Sequence, residues 1–151
     1  MKRAFSYKMP TGEIWIAEEK GSICEVYREK IEAEISETPL IKKTAAQLEE
    51  YFAGKRKAFD LPLNPQGTEF QKKVWKALQE IPYGKTVSYK DIAEKIGSPK
   101  ASRAVGGANN KNPISIIIPC HRVIGANGAL VGYAGGLDMK RELLELEVRS
   151  E

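Results

Sequence analysis

Cys120 and His121 put a potential nucleophile beside a potential base, within the run Ile116-Ile117-Ile118-Pro119-Cys120-His121-Arg122-Val123. His121 is the one histidine of the 151-residue chain. A free thiol is mostly protonated at neutral pH and only the thiolate attacks, so a neighbouring imidazole and guanidinium supply what activation requires. Three isoleucines before a proline predict a buried strand that ends where proline removes a ladder donor, which sets Cys120 at a strand end. The alternative at this point is a small buried hydrophobe that merely precedes a surface histidine.

A third group comes from the end of the chain. A helix predicted to begin near Asp138 places Met139, Leu143 and Leu146 on one face, with Glu147 inside that arc and Glu142 and Glu145 outside it. An inward carboxylate needs a partner, and His121 is the economical one. Cys120, His121 and Glu147 then compose a thiol, a base and an orienting acid on the triad pattern. Fraying of the helix end would instead leave Glu147 in solvent.

Charge is distributed unevenly around these groups. Residues 1–67 carry 11 Lys/Arg and 11 Asp/Glu, residues 68–122 carry 10 and 4, and residues 123–151 carry 3 and 5. The overall net charge of +4 is therefore a local surplus in the middle segment. Such a surplus is the footprint of a phosphate-bearing partner when other features agree, and an ordinary solvated surface when they do not. The length suits one large domain or two small ones. Leu61-Pro62-Leu63-Asn64-Pro65-Gln66-Gly67 has the composition of a linker, so two domains are expected, 1–67 and 68–151.

The first third predicts a small antiparallel sheet: Ala4 to Met9, a Pro10-Thr11-Gly12 turn, Glu13 to Glu18, and a third strand after Gly21-Ser22. Thr38-Pro39 has the order of a helix start, and Leu40, Ile41, Thr44, Ala45, Leu48 and Phe52 recur at helical spacing until Gly54. Beyond the linker, Thr68-Glu69-Phe70-Gln71 is a capping-box pattern whose helix carries Phe70, Val74 and Leu78 as its apolar stripe. Ser88-Tyr89-Lys90-Asp91 caps a short helix that Gly97 ends, and Ser98-Pro99 starts another. The pair predicts a helix-turn-helix with Lys100 to about Asn109 as its recognition element. Ala101, Ala104, Gly106, Gly107 and Ala108 leave that element little bulk, and the glycines cost helix stability, which close backbone approach would explain.

No apolar run is long enough to span a bilayer and no secretory signal opens the chain, so a cytoplasmic location and no membrane association are expected. Cys24 and Cys120 are the two cysteines; a bridge between them would consume the nucleophile, and Cys24 suits packing. Two cysteines and one histidine do not supply a structural zinc site without carboxylates, so no metal is expected.

Pro119-Cys120-His121-Arg122-Val123 resembles the acceptor-site motif of the O6-alkylguanine-DNA alkyltransferases. The resemblance continues through Arg103-Ala104-Val105-Gly106-Gly107-Ala108, Asn112-Pro113 and Gly132-Tyr133-Ala134-Gly135-Gly136, across roughly residues 68 to 149. It implies an α+β protein: a small RNase H-like α/β domain, then a mostly helical winged helix-turn-helix domain for DNA binding and catalysis. The implied activity is DNA repair by irreversible, stoichiometric transfer of the alkyl group from O6-alkylguanine to Cys120, with no cofactor. Flipping is required because a lesion atom inside a stacked duplex lies out of a nucleophile's reach.

Site residues follow from the same resemblance. His121 and Glu147 activate Cys120, Asn112 holds the acceptor segment, and Tyr89 helps turn the nucleotide and hydrogen-bonds the guanine. Arg103 resembles the family's finger into the vacated stack, with Ala101, Ser102, Gly106 and Asn109 beside it on the DNA in the minor groove. Tyr133, Ala134, Val123 and Val131 surround the base. Ala134 departs from a frequent serine, Val131 from a frequent glycine that would widen the pocket, and Val148 from another. The implied partner is double-stranded DNA carrying O6-alkylguanine, bound by a monomer, with cooperative binding along DNA left open. The rivals are a lesion-binding relative that lacks the acceptor cysteine, which Cys120 argues against, and a cysteine hydrolase, which the helix-turn-helix disfavours.

Overall fold

The computed structural model describes residues 1–130, 133 and 136–150. Three strands, β1 (Arg3–Met9), β2 (Gly12–Glu19) and β3 (Ser22–Tyr27), form an antiparallel meander. Lys20 and Gly21 join β2 to β3 with φ of 54° and 81°, the paired left-handed geometry that suits a two-residue hairpin. A fourth strand, β4 (Glu34–Ile35), runs parallel to β1 and gives the order β3-β2-β1-β4. Sequence reading does not find it, because its two residues are both exposed and show no alternation.

Helix α1 (Pro39–Phe52) opens on Thr38, whose hydroxyl accepts from the Ile41 amide at 3.2 Å. It closes on Gly54 at φ 74°, with Gly54 N donating to Tyr51 O and Lys55 N to Glu50 O, a Schellman arrangement that needs a left-handed residue. Ile41, Ala45, Leu48 and Tyr51 lie on its buried face.

The second half follows as α2 (Glu69–Leu78), β5 (Val87–Ser88), α3 (Tyr89–Lys95), α4 (Ser102–Asn110), a 3-10 turn (Cys120–Arg122), β6 (Val123–Ile124) and α5 (Leu137–Arg149). Both capping boxes form, Thr68 with Gln71 and Ser88 with Asp91. Helix α4 begins at Ser102 rather than at Ser98-Pro99. The segment before it turns instead, with Ala101 N donating to Ser98 O at 2.9 Å. Strands β5 and β6 pair in parallel, Val87 with Val123, which carries the start of α3 alongside the turn that holds Cys120.

The isoleucine run does not form the expected strand. Ile117 N donates to Ser115 O and Ile118 N to Ile114 O, so the chain coils tightly, and Ile116 sits at φ 72°. A β-branched residue there is strained. All three isoleucines are buried, which an alternating strand with one solvent face would not achieve, and an apolar run alone does not separate the two outcomes.

One core spans both halves: Ile14, Ile16, Val26 and Leu48 belong to the same cluster as Trp75, Leu78, Val105, Ile118 and Leu143. Main-chain bonds reinforce it, from Val26 N to Pro113 O and from Ser115 N to Val26 O. The linker-like stretch also docks, because Ile23 N donates to Pro62 O and Asn64 N to Ile23 O. Gly67 is required by packing, since a Cβ there would lie 2.4 Å from the Trp75 ring. Among the described residues no helix is long and apolar enough to cross a membrane.

Candidate active site

Cys120 opens the 3-10 turn directly after Pro119, its amide bonded to Ile118 O at 2.8 Å and its carbonyl accepting from Asn109 Nδ2 at 3.4 Å. It is 1% exposed. Burial pushes its thiol up to about 11, against opposing pulls from Asn112, Lys140 and Tyr133. The resting group is therefore a thiol. The adjacent guanidinium does not activate it as its sequence position suggests, because Arg122 is spent on Glu147 and on Ile81 O at 2.8 Å.

Glu147 is 1% exposed, so the helical-face argument places it correctly and the frayed alternative fails. Its partner set is larger than His121 alone. Oε2 accepts from Tyr51 Oη at 2.6 Å, His121 Nε2 at 2.6 Å and Arg122 Nη2 at 3.0 Å, while Oε1 accepts from Arg122 Nε at 2.8 Å and Gly84 N at 3.1 Å. Burial drives the carboxyl upward, but the bonds from His121 and Arg122 outweigh it and hold the group at about 2. His121 is fully buried, and burial pulls its imidazole below the ordinary 6.5 against the raising effect of Glu147. A neutral ring that donates from Nε2 to a carboxylate keeps a lone pair on Nδ1. That Nδ1 is buried with no hydrogen-bond partner among the described residues.

The other expected residues gather around the thiol. Asn112 is buried and donates from Nδ2 to Ile118 O at 2.8 Å and Ile114 O at 3.3 Å, while its Oδ1 accepts from Ile114 N at 3.0 Å. These bonds hold the coiled segment that a sheet partner would otherwise have satisfied. Tyr89 is the first residue of α3 and half-buried; burial raises its phenol, and the nearby Cys120 adds to the effect. Tyr133 is buried near enough to Cys120 to feel charge on the sulfur, yet its hydroxyl makes no hydrogen bond of acceptable geometry among the described residues. Val123 is fully buried in β6. Val131 and Ala134, with Gly132 and Gly135, lie outside the described residues.

On α4, Arg103, Ala104, Gly107 and Asn110 are exposed, whereas Ala101, Ser102 and Gly106 are half-buried, Gly106 facing the Tyr89 ring. Asn109 is corrected: expected on the DNA side, it is 1% exposed and turned towards the Cys120 carbonyl, because it shares the inner arc with Val105 and Ala108.

Sequence reasoning missed Tyr51, Gly84 and Lys140. Lys140 is fully buried and donates from Nζ to Val123 O at 2.6 Å; burial lowers its pKa while Cys120 raises it, so its charge acts on the thiol. Its signal was present, since Lys140, Leu143 and Glu147 recur at helical spacing on the arc used for Glu147. Tyr51 lies three residues beyond Leu48 on the buried stripe of α1, so periodicity indicates its burial but not its partner.

A helix-turn-helix packed on a small sheet and helix, with a buried cysteine beside a His–Glu pair, defines an α+β protein. The family model for the 6-O-methylguanine DNA methyltransferase DNA binding domain matches residues 69–149, and that for the ribonuclease-like domain of the same proteins matches residues 3–65. The chain belongs to the 6-O-methylguanine DNA methyltransferase family. The methylated-DNA–protein-cysteine methyltransferase of Methanosarcina acetivorans is 53% identical over 148 residues, covering 93% of this chain and 95% of that protein. The constitutive methylated-DNA–protein-cysteine methyltransferase of Bacillus subtilis is 50% identical over 149 residues, covering 91% and 90%. Among solved structures, the Mycobacterium tuberculosis O6-methylguanine methyltransferase superposes with a TM-score of 0.92 at 43% identity, covering all of this chain and 95% of that one. The M. tuberculosis protein in complex with DNA gives 0.91 at 44%, covering 98% and 94%.

Proposed function

We propose that this chain repairs DNA by moving the alkyl group of O6-alkylguanine onto its own Cys120. The observation that supports this most directly is the neutral His121, its Nε2 committed to Glu147 and its Nδ1 left as a buried, unpartnered acceptor. Names carried by relatives at 50% identity and above, and a DNA complex of a protein with the same fold, point the same way.

In this reading the exposed face of α4 lies on the duplex, Arg103 fills the space of the flipped nucleotide, and Tyr89, Val123 and Tyr133 receive the base with Val131 and Ala134. The Cys120 proton passes to His121 Nδ1 through one bridging water. The thiolate then attacks the alkyl carbon, a carbon–sulfur bond forms, and the carbon–O6 bond breaks with its electrons going to guanine. The guanine takes up one proton, from His121 or by way of Tyr89, so that thiol plus alkylguanine becomes thioether plus guanine. Lys140 and Asn112 favour the thiolate that burial opposes. The residues 1–67 and 68–151 act as the two units of one monomer, in the cytoplasm, where thiols stay reduced. The thioether has no easy leaving path, so each molecule acts once and needs no cofactor.

Incubating the protein with a tenfold excess of methylated duplex tests this. Repaired duplex is expected to stop at one per protein molecule, and continued turnover would overturn the reading. The α4 face gives a second test. A Cβ on Gly107 would meet nothing within 4 Å, so the protein's own packing does not demand that glycine. Gly107→Ala is expected to raise stability by about 0.8 kcal/mol through helix propensity. Gly107→Leu is expected to fold and to bind duplex more weakly; unchanged affinity in a titration would remove α4 from the interface.

A further inference from the structure

The functional cluster is completed by a residue from the other half of the molecule. Tyr51 lies on α1, within the segment matched by the ribonuclease-like family model, and is fully buried. Its ring packs against Phe52, Phe59 and Tyr83 at centroid distances of 5.5, 5.6 and 6.2 Å, which fixes where its hydroxyl points. That hydroxyl donates to Glu147 Oε2 at 2.6 Å and stands 3.5 Å from His121 Nε2. The same carboxylate oxygen therefore serves the imidazole and the phenol, with equally short bonds to each.

We propose that Tyr51 is a positioning residue for alkyl transfer, through which the N-terminal half sets the orientation and basicity of His121. This rests on the functional reading above. Packing alone would need a ring but no hydroxyl, because a phenylalanine would keep the ring contacts with Phe52, Phe59 and Tyr83. The hydroxyl instead takes up part of the negative charge of Oε2, and charge-assisted bonds of this length are the strong kind. Burial, reinforced by Glu147, lifts the Tyr51 phenol far above its ordinary range, so the group stays a donor at every working pH. Without that donor more of the carboxylate charge falls on His121, the imidazole becomes more basic, and protonation removes the Nδ1 acceptor. Among the described residues, the charged groups acting on His121 are Arg122 in its own turn and Glu147 and Lys140 on α5, with the Cys120 thiol next to it in the chain; Tyr83 faces the Arg122 side of the cluster.

The test compares wild type, Tyr51→Phe and the control Tyr83→Phe, whose hydroxyl has no hydrogen-bond partner among the described residues. Transfer rates at saturating methylated duplex are measured from pH 5 to 9. His121 is titrated in parallel by NMR, where the one histidine of the chain gives an unambiguous ring signal. Tyr51→Phe is expected to raise the His121 pKa and the acidic limb of the rate profile together by about one unit, a tenfold effect, with duplex affinity unchanged and Tyr83→Phe matching wild type. Incorporating fluorotyrosine into the wild-type sequence, which strengthens the donor without mutation, is expected to move His121 the other way, and this arm holds even if Tyr51→Phe fails to fold. Identical His121 titrations across all these proteins would overturn the proposal. Absence of transfer by the wild type would overturn the functional reading alone, since the titrations still report the coupling.

Discussion

Replacing Cys120 by serine is expected to abolish alkyl transfer while leaving duplex binding within about 0.5 kcal/mol, roughly a factor of two. The substitution is nearly isosteric at a site that is 1% exposed, and the exposed face of α4 is untouched. What it removes is the nucleophile. The thiol already resists ionisation, its pKa pushed up to about 11 by burial. A serine hydroxyl at the same place is far less acidic and a poorer nucleophile, and neither Lys140 nor His121 makes up that difference. Following transfer from a labelled alkyl duplex alongside a binding titration checks both halves. Transfer by Cys120→Ser, or by Cys120→Ala, would refute the assignment of the acceptor; loss of binding would show that the thiol serves the fold rather than the reaction.

The second large effect is expected at Glu147. Glu147→Gln keeps the shape but strands a buried guanidinium, since Arg122 has its Nε and Nη2 on this carboxylate and is itself nearly buried. Breaking one side of a buried pair typically costs about 3–5 kcal/mol. Linkage gives a consistent figure. The carboxyl is held at about 2 against an ordinary 4.5, a difference corresponding to about 3 kcal/mol. Because the folded value is depressed, that stability is fully present above pH 4.5 and is lost as pH falls towards 2. Urea unfolding at pH 7 and pH 3 is therefore expected to show a large loss for Glu147→Gln at pH 7 and a smaller difference from wild type at pH 3. A loss below about 1 kcal/mol at pH 7 would mean that the cluster is not the electrostatic centre described here. Transfer should fall as well, because a glutamine amide lacks the charge that makes the Glu147 carboxylate a strong acceptor for His121, and its NH2 can turn towards the ring.

Much of this site is legible in the sequence. The position of Glu147 followed from helical periodicity, because the apolar stripe of α5 leaves an acidic residue on its inner arc. Capping boxes at Thr68 and Ser88 were legible because their hydrogen bonds are local, made within four residues. Where sequence reasoning failed, the deciding interaction was a side-chain bond that neither periodicity nor composition encodes. Ile116 to Ile118 look like a strand by composition, yet the Asn112 side chain supplies the bonds that a strand partner would have made, and the segment coils. Asn109 was assigned to the DNA by the resemblance of its segment to a recognition element, but the Cys120 carbonyl, eleven residues away, draws it inward. Tyr51 reaches Glu147 across a separation of 96 residues, which no local pattern encodes. Lys140 differs, because its helical spacing places it on the inner arc of α5 while a lysine is seldom fully buried.

One mass measurement bears most directly on the role of Cys120 as acceptor. The purified protein is mixed with a duplex carrying a single O6-methylguanine, and the intact mass is recorded, followed by peptide mapping. The expected result is a gain of one methylene per molecule, confined to the peptide containing Cys120 and saturating there, with Cys24 unmodified. No mass gain despite selective binding of that duplex, or a gain located elsewhere, would contradict the central claim that Cys120 is the acceptor.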